Sequence, residues 1–178
     1  LESVITQIQM RLFSPHHKKT AKALYISAQR LCCLCLQYSG FQFVCQGFSV
    51  DFLHFLIFQE KNAVLLFKTD NLSVLFTGDM EQKGEDAVTE QLNERQEQID
   101  ILKVPHHGSK NSAKEAFLEA AGAKIGIISC GEGNSYGHPH KELLERLKEK
   151  QIGWYVTIER GAITVTAGKR NKLSFYKK

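Results

Sequence analysis

Within one stretch of this chain, two apolar runs each end in residues that bind metals, and this limits the possible folds more than any other feature. Between Val74 and Ser112 the first run closes on Thr77-Gly78-Asp79. An acidic segment follows, and the second run closes on Pro105-His106-His107-Gly108-Ser109. Apolar runs this short, broken by turn residues and a polar helical stretch, predict buried strands alternating with a helix. Strands ending side by side would bring Asp79 and the histidine pair to one rim of a sheet, where a hydrolase can hold metal ions.

The bulk properties leave that open. A chain of 178 residues is long enough for one domain with a sizeable core. Its apolar share of 43% and charged share of 24% are those of a globular protein. A formal charge of +4 permits a polyanionic partner without requiring one. Cys32, Cys33, Cys35, Cys45 and Cys130 are odd in number and three are nearly adjacent, which suits neither a disulfide framework nor zinc knuckles; buried, reduced thiols are expected. The apolar run from Phe52 to Phe58 is far shorter than the ~20 residues a membrane span needs, so a soluble segment is expected.

In chain order, Val4, Ile5, Ile8 and Leu12 stand at helical spacing and predict a helix over 3–12. Leu24, Ala28, Leu31, Cys35 and Leu36 predict a second helix ended by Gly40, with Leu24-Tyr25-Ile26 as an alternative short strand. Phe41 to Phe58 reads as two strands around Gln46-Gly47, and the runs 63–67 and 72–76 as a hairpin with an Asp-Asn turn. A largely exposed helix is expected over 81–98, and a strand over 99–104. Ser112 and Glu115 have the spacing of a capping box for a helix over 113–121. A strand over 124–129 follows, then a glycine-rich loop, and Pro139 as the first residue of a helix reaching about Gln151. Residues 155–159 and 162–167 read as a hairpin turning at Arg160-Gly161, and Leu173 to Tyr176 as a last edge strand. The order suits a layered α/β domain.

The candidate chemical residues each have a plain alternative. Asp79 either caps the following helix or ligates a metal; a second ligand type at the next strand end, His106, favours the metal. His106 and His107 would face opposite ways if the strand ran through them, so one is a ligand or proton carrier and the other structural. Ser109 and Lys110 lie at a helix approach where an anion can bind, or form a solvated loop; Ser112 reads as loop. His138 is a site residue or a loop histidine before Pro139. His140 reads as helix surface, and His16, His17 and His54 have no partners at ligand spacing.

Taken together, Leu75 to Asp79, Asp100 to Ser109 and Asn134 to Pro139 resemble the metallo-β-lactamase superfamily. More narrowly, they are similar to the hydrolase domain at the C-terminal end of ComEC-type competence proteins, which internalise DNA. The resemblance implies an α/β fold, the αββα sandwich, mainly its C-terminal half, in a single incomplete domain spanning 1–178. It implies two divalent metal ions (zinc or manganese). Asp79 would bridge them, His106 would be a ligand or proton shuttle, and His107 and His138 would fill catalytic or last-ligand positions. Ser109, Lys110 and Asn134 would hold a substrate phosphate. Such metals lower the pKa of bound water to about 7. The implied activity is phosphodiester hydrolysis, most directly a nuclease on single-stranded DNA during uptake, with phosphorylcholine-type esters as another substrate class. The implied setting is either face of a bacterial membrane, with fusion to a membrane channel left open.

The superfamily's HxHxDH ligand motif belongs upstream of the matching region and is absent from this chain; His16-His17 is followed by Lys18-Lys19-Thr20 and does not replace it. One aspartate and two or three histidines fall short of a dinuclear site. The expectation is half an active site, with residues 1–60 corresponding to the segment after that motif. The competing expectation is a non-catalytic domain that holds DNA or a partner protein through Lys169, Arg170, Lys172, Lys177 and Lys178.

Overall fold

A computed structural model of the chain describes the backbone of residues 8–12, 33–38, 41–46, 53–57, 63–69, 71–167 and 170–176, and the side chains of 64–68, 71–167 and 170–176. The described elements of the first part are strands: β1 (Ile8–Leu12), β2 (Cys33–Tyr38), β3 (Phe41–Gln46), β4 (Leu53–Ile57), β5 (Ala63–Thr69) and β6 (Leu72–Phe76). Strands and helices then alternate: α1 (Gln82–Arg95), β7 (Ile101–Lys103), α2 (Glu115–Ala121), β8 (Ile125–Ile128), α3 (Lys141–Glu149) and β9 (Gly153–Val156). The chain closes through α4 (Thr157–Arg160), β10 (Ala162–Ala167) and β11 (Lys172–Tyr176).

These strands form two sheets. One is five-stranded in the order β11-β10-β1-β3-β2, the other six-stranded in the order β4-β5-β6-β7-β8-β9. In the second sheet β4, β5 and β6 pair antiparallel, whereas β6 to β9 run parallel, because each connection between them carries a helix. Strand alternation then separates two cores. Leu72, Val74, Phe76, Ile101 and Ile127 pack against Ile163, Val165 and Ala167 of β10 and fill the space between the sheets. Leu75, Leu102 and Ile128 point the other way, against Val88 and Leu92 of α1, Phe117, Leu118 and Ala121 of α2, and Leu143 and Leu147 of α3. Among the described residues the layers are therefore sheet, sheet and helices. Each fully buried Leu or Phe contributes roughly 1.5–3 kcal/mol through removal from water.

Several expectations are corrected. Residues 8–12 form a strand, not a helix. Ile8, Met10 and Leu12 also alternate, and pairing with β10 and β3 on both sides supplies hydrogen bonds that the helical spacing cannot outbid. Over 33–38 the second expected helix gives way to β2, which pairs with β3 with Tyr38 opposite Phe41; the rest of that helix and the alternative strand at 24–26 lie outside the described residues, as do His16 and His17. The two strands around Gln46-Gly47 are present, but in different sheets. The expected closing hairpin is absent. β9 is parallel to β8 in the six-stranded sheet, and α4 carries the chain to β10 in the other.

The 63–76 hairpin, the exposed helix after Asp79 and the edge strand β11 match expectation. Cys130 is buried and free, while the side chains of the other cysteines lie outside the described residues. No described helix is long and apolar enough to cross a membrane.

Two start signals also failed. Ser112 does not cap α2: its hydroxyl donates to the carbonyls of Pro105 and Ser109, so it braces the preceding loop. The N–H groups of Ala113 and Lys114 are bonded instead by the buried Glu85 carboxylate, reaching over from α1. Pro139 is not the first residue of α3. The His138–Pro139 peptide is cis, and His140 is the N-cap, its carbonyl accepting from Leu143 and Leu144.

Candidate active site

The C-terminal ends of β6, β7 and β8 lie side by side, and the loops leaving them gather most of the candidate residues. Thr77 Oγ1 donates to the Lys103 carbonyl at 2.7 Å, joining the ends of β6 and β7. The Gly78 carbonyl accepts from both His106 N–H and Lys103 Nζ, each at 3.1 Å. Gly78 has φ 55°, a left-handed conformation that glycine adopts freely, and the resulting turn presents Asp79 to solvent. Lys103, wholly buried beneath this turn, is a site residue the sequence reading passed over. Burial lowers its pKa to about 8, opposed by the negative charge of Asp79.

β7 ends at Lys103, and the histidine pair lies beyond it in a tight turn, Pro105–Gly108. His106 (φ 45°, ψ 46°) and His107 (φ 55°, ψ 17°) are both left-handed, which costs non-glycine residues of order 1–2 kcal/mol each. Strand alternation therefore does not apply, and both rings reach the same cluster. Contacts that hold the turn include His106 N–H on the Gly78 carbonyl, Ser109 N–H on the His106 carbonyl, His140 N–H on the Gly108 carbonyl, and His107 Nδ1 on the Ser129 carbonyl at 2.6 Å. Gly108 (φ 88°) is required for a further reason: a Cβ there would lie 2.8 Å from that of Pro139.

The contact with Ser129 fixes His107's chemistry. A carbonyl only accepts, so Nδ1 carries a proton, and it is Nε2 that is left to face outward. That Nε2 lies 3.3 Å from Asp79 Oδ1. A carboxylate oxygen and an imidazole nitrogen at this distance are held together by a proton or another cation between them. His106 is placed differently. Its Nδ1 is buried and 3.2 Å from Glu81 Oε1, yet the geometry makes no hydrogen bond. Of the pair, His107 is the one aimed at Asp79.

His138 forms the centre of a ring cluster, its centroid 5.8 Å from that of His106, 6.4 Å from His107, 4.8 Å from His140 and 5.7 Å from Tyr136. Burial, then the neighbouring His140, His106 and His107, push its pKa below the usual histidine value, with Asp79 opposing. The neutral ring is favoured, as a ligand or proton acceptor requires. His140 is thus part of the cluster, not plain helix surface; its Nδ1 accepts from the Lys110 N–H at 3.1 Å.

The three residues expected at a substrate phosphate fare unequally. Asn134 has spent its amide on its own loop: Nδ2 donates to the Gly131 and His138 carbonyls, and Oδ1 accepts the His138 N–H. It positions His138. Ser109 is buried, and its hydroxyl accepts from the Asn111 N–H. Lys110 alone is exposed, on the rim beside His140.

The comparisons with known proteins agree with this architecture. A family model described as the metallo-beta-lactamase superfamily matches residues 46–132, covering β4 to β8 and the Asp79 and His106-His107 loops. Over residues 46–132, just under half of its length, the chain is similar to the metallo-β-lactamase superfamily. It is 39% identical over 104 residues to "ComE operon protein 3" of Bacillus subtilis, an alignment covering 58% of this chain and 13% of that protein. It is 37% identical over 105 residues to "Recombination protein 2" of Haemophilus influenzae, covering 53% and 13% respectively. It is 29% identical over 121 residues to "Competence protein ComA" of Neisseria gonorrhoeae, covering 66% and 17%. The matching region is thus a small part of each of these relatives.

Metallo-β-lactamase domains usually bind divalent metals. The facing Asp79 Oδ1 and His107 Nε2, 3.3 Å apart, suit part of such a ligand set, and the buried His106 Nδ1, which makes no hydrogen bond, lies in the same loop. Among the described residues, however, no three His, Cys, Asp or Glu side chains converge on one point. A closed metal site needs donors beyond them.

Proposed function

We propose that this metallo-β-lactamase-like domain contributes Asp79, His107 and His138 to a metal-dependent phosphodiesterase that cuts single-stranded DNA during uptake. The observation that carries the proposal is the Asp79–His107 pair. A carboxylate faces an imidazole whose tautomer is fixed from behind by Ser129, at the joined ends of two parallel strands. Support for the substrate comes from the competence-protein relatives and the net charge of +4.

In this reading Asp79 and His107 hold one divalent ion together with donors beyond the described residues. Such an ion supplies Lewis-acid polarisation of a phosphoryl oxygen. The rest belongs to the chain itself. Ser129 keeps the His107 proton on Nδ1, so that Nε2 stays directed at Asp79. His138, favoured neutral by its burial, accepts and returns a proton at the reacting oxygens. Asn134 keeps the His138 backbone in place, and Lys110 attracts the phosphate backbone from the rim.

The test is cleavage of a labelled single-stranded oligonucleotide by the natural protein that carries this chain, after chelation and after Mn²⁺ or Zn²⁺ is restored. Cleavage only with metal is expected. DNA held equally well under chelation, with binding that falls steeply with salt and no cutting in either metal, would identify a non-catalytic DNA-binding domain instead.

A further inference from the structure

Tyr136 is the most exposed of the large apolar side chains described, 75% accessible, although it stands at the mouth of the site. Its loop is not loose. The Asn134 amide grips the Gly131 carbonyl and both backbone groups of His138, and Gly137 N–H donates to the Asn134 carbonyl. Gly137 takes the positive φ of 71° that closes the turn. The Tyr136 ring is therefore displayed by a braced segment.

Its orientation also follows a pattern. The Tyr136 plane lies within 20° of His138, and the His138 plane within 22° of His107. Two successive stacked pairs, Tyr136 on His138 and His138 on His107, thus lead from solvent inward to the nitrogen that faces Asp79. An open aromatic face beside a site for phosphodiesters suits a flat, π-bearing neighbour of the phosphate. In DNA that neighbour is a base, free to stack only when the strand is single. Exposed Lys110 on the same rim would meet an adjacent phosphate.

We propose that Tyr136 is a substrate-specificity residue that stacks on a nucleobase flanking the scissile phosphate and so selects single-stranded nucleic acid. This rests on the phosphodiesterase reading above and adds to it which part of the substrate, other than the phosphate, is recognised. Loss of an aromatic platform weakens single-strand binding about tenfold or more per stacked base.

The experiment uses the natural protein carrying this chain, with metal supplied, and oligonucleotides intact or bearing a tetrahydrofuran abasic residue in turn on each side of the cleaved position. Tyr136→Ala is expected to raise KM for the intact strand about tenfold with little change in kcat. Tyr136→Phe retains the wild-type KM, and Tyr136→Leu does not. One abasic placement raises the wild-type KM to a similar degree and adds nothing further in Tyr136→Ala, as expected when both changes remove the same contact. An unchanged KM in Tyr136→Ala overturns the assignment while cleavage itself stands. So does additivity of the two changes, or a Phe variant as weak as Ala. Failure of the wild type to cut any DNA overturns the phosphodiesterase reading and this assignment together.

Discussion

Asp79→Asn is expected to lower hydrolysis by at least about a hundredfold and to leave the fold intact. The substitution keeps size and one carbonyl oxygen but removes the negative charge facing His107 Nε2. Loss of an outer partner of a metal ligand typically costs about 10–100-fold, so loss of a ligand's charge should exceed that. The side chain is 55% exposed and the turn beneath it is held through the Gly78 carbonyl, which the substitution leaves in place. The measurement is kcat and KM on single-stranded DNA, with circular dichroism as the fold control. A folded variant that cuts at the wild-type rate would remove Asp79 from the chemistry.

The second large effect is on stability. Glu85→Ala is expected to free the loop between the histidine turn and α2, at a cost of about 2–5 kcal/mol. The Glu85 carboxylate is almost wholly buried and bonds the N–H groups of Ala113 and Lys114. Ala113 is itself held at φ 53°. From the other side, Arg146 of α3 donates to the carbonyls of Lys110, Ser112 and Ala113. The loop is thus clamped through its N–H groups by an acid and through its carbonyls by a base. Without Glu85 two inward N–H groups lose their partners, each at roughly 1–3 kcal/mol. Hydrogen–deuterium exchange reads this locally: amides 109–121 should exchange about a hundredfold faster, while β5 and β6 remain protected. Exchange unchanged in that loop would show that Arg146 alone suffices.

The sequence shows most clearly what depends on local pattern. The apolar runs ending at Asp79 and before His106 mark β6 and β7, and the sparse apolar residues of 82–95 mark an exposed helix, because in each case one buried face repeats at one period. β1 and β2 were misread for a physical reason. Val4, Ile5, Ile8 and Leu12 satisfy a helix, while Ile8, Met10 and Leu12 equally satisfy a strand. The decision is made by β10, whose residues 163–167 pair with residues 8–12 from the far end of the chain. Similarly, Arg160-Gly161 looks like a hairpin turn, yet α4 moves the chain from one sheet to the other.

The site divides the same way. Asp79, His106, His107 and His138 are visible as residue types at strand ends. Which of His106 and His107 faces Asp79 is not, because it rests on a backbone carbonyl, Ser129, just beyond the end of β8. Asn134 looked like a phosphate ligand, but an asparagine four residues before a histidine in a glycine-rich loop also has the means to form a side-chain-to-backbone turn, which is the role it plays. Lys103 gave no signal at all: a lysine inside an apolar strand is noticed only when its carbonyl partner, Gly78, is known.

In the proposed site Asp79 and His107 hold a metal ion together. The most direct test is metal content per protein after dialysis against Zn²⁺ or Mn²⁺, comparing the natural protein with its Asp79→Asn, His107→Gln and His106→Gln variants. Bound metal is expected in the wild type, with a loss in both Asp79→Asn and His107→Gln and a smaller change in His106→Gln. Full retention of metal by both Asp79→Asn and His107→Gln would contradict that arrangement.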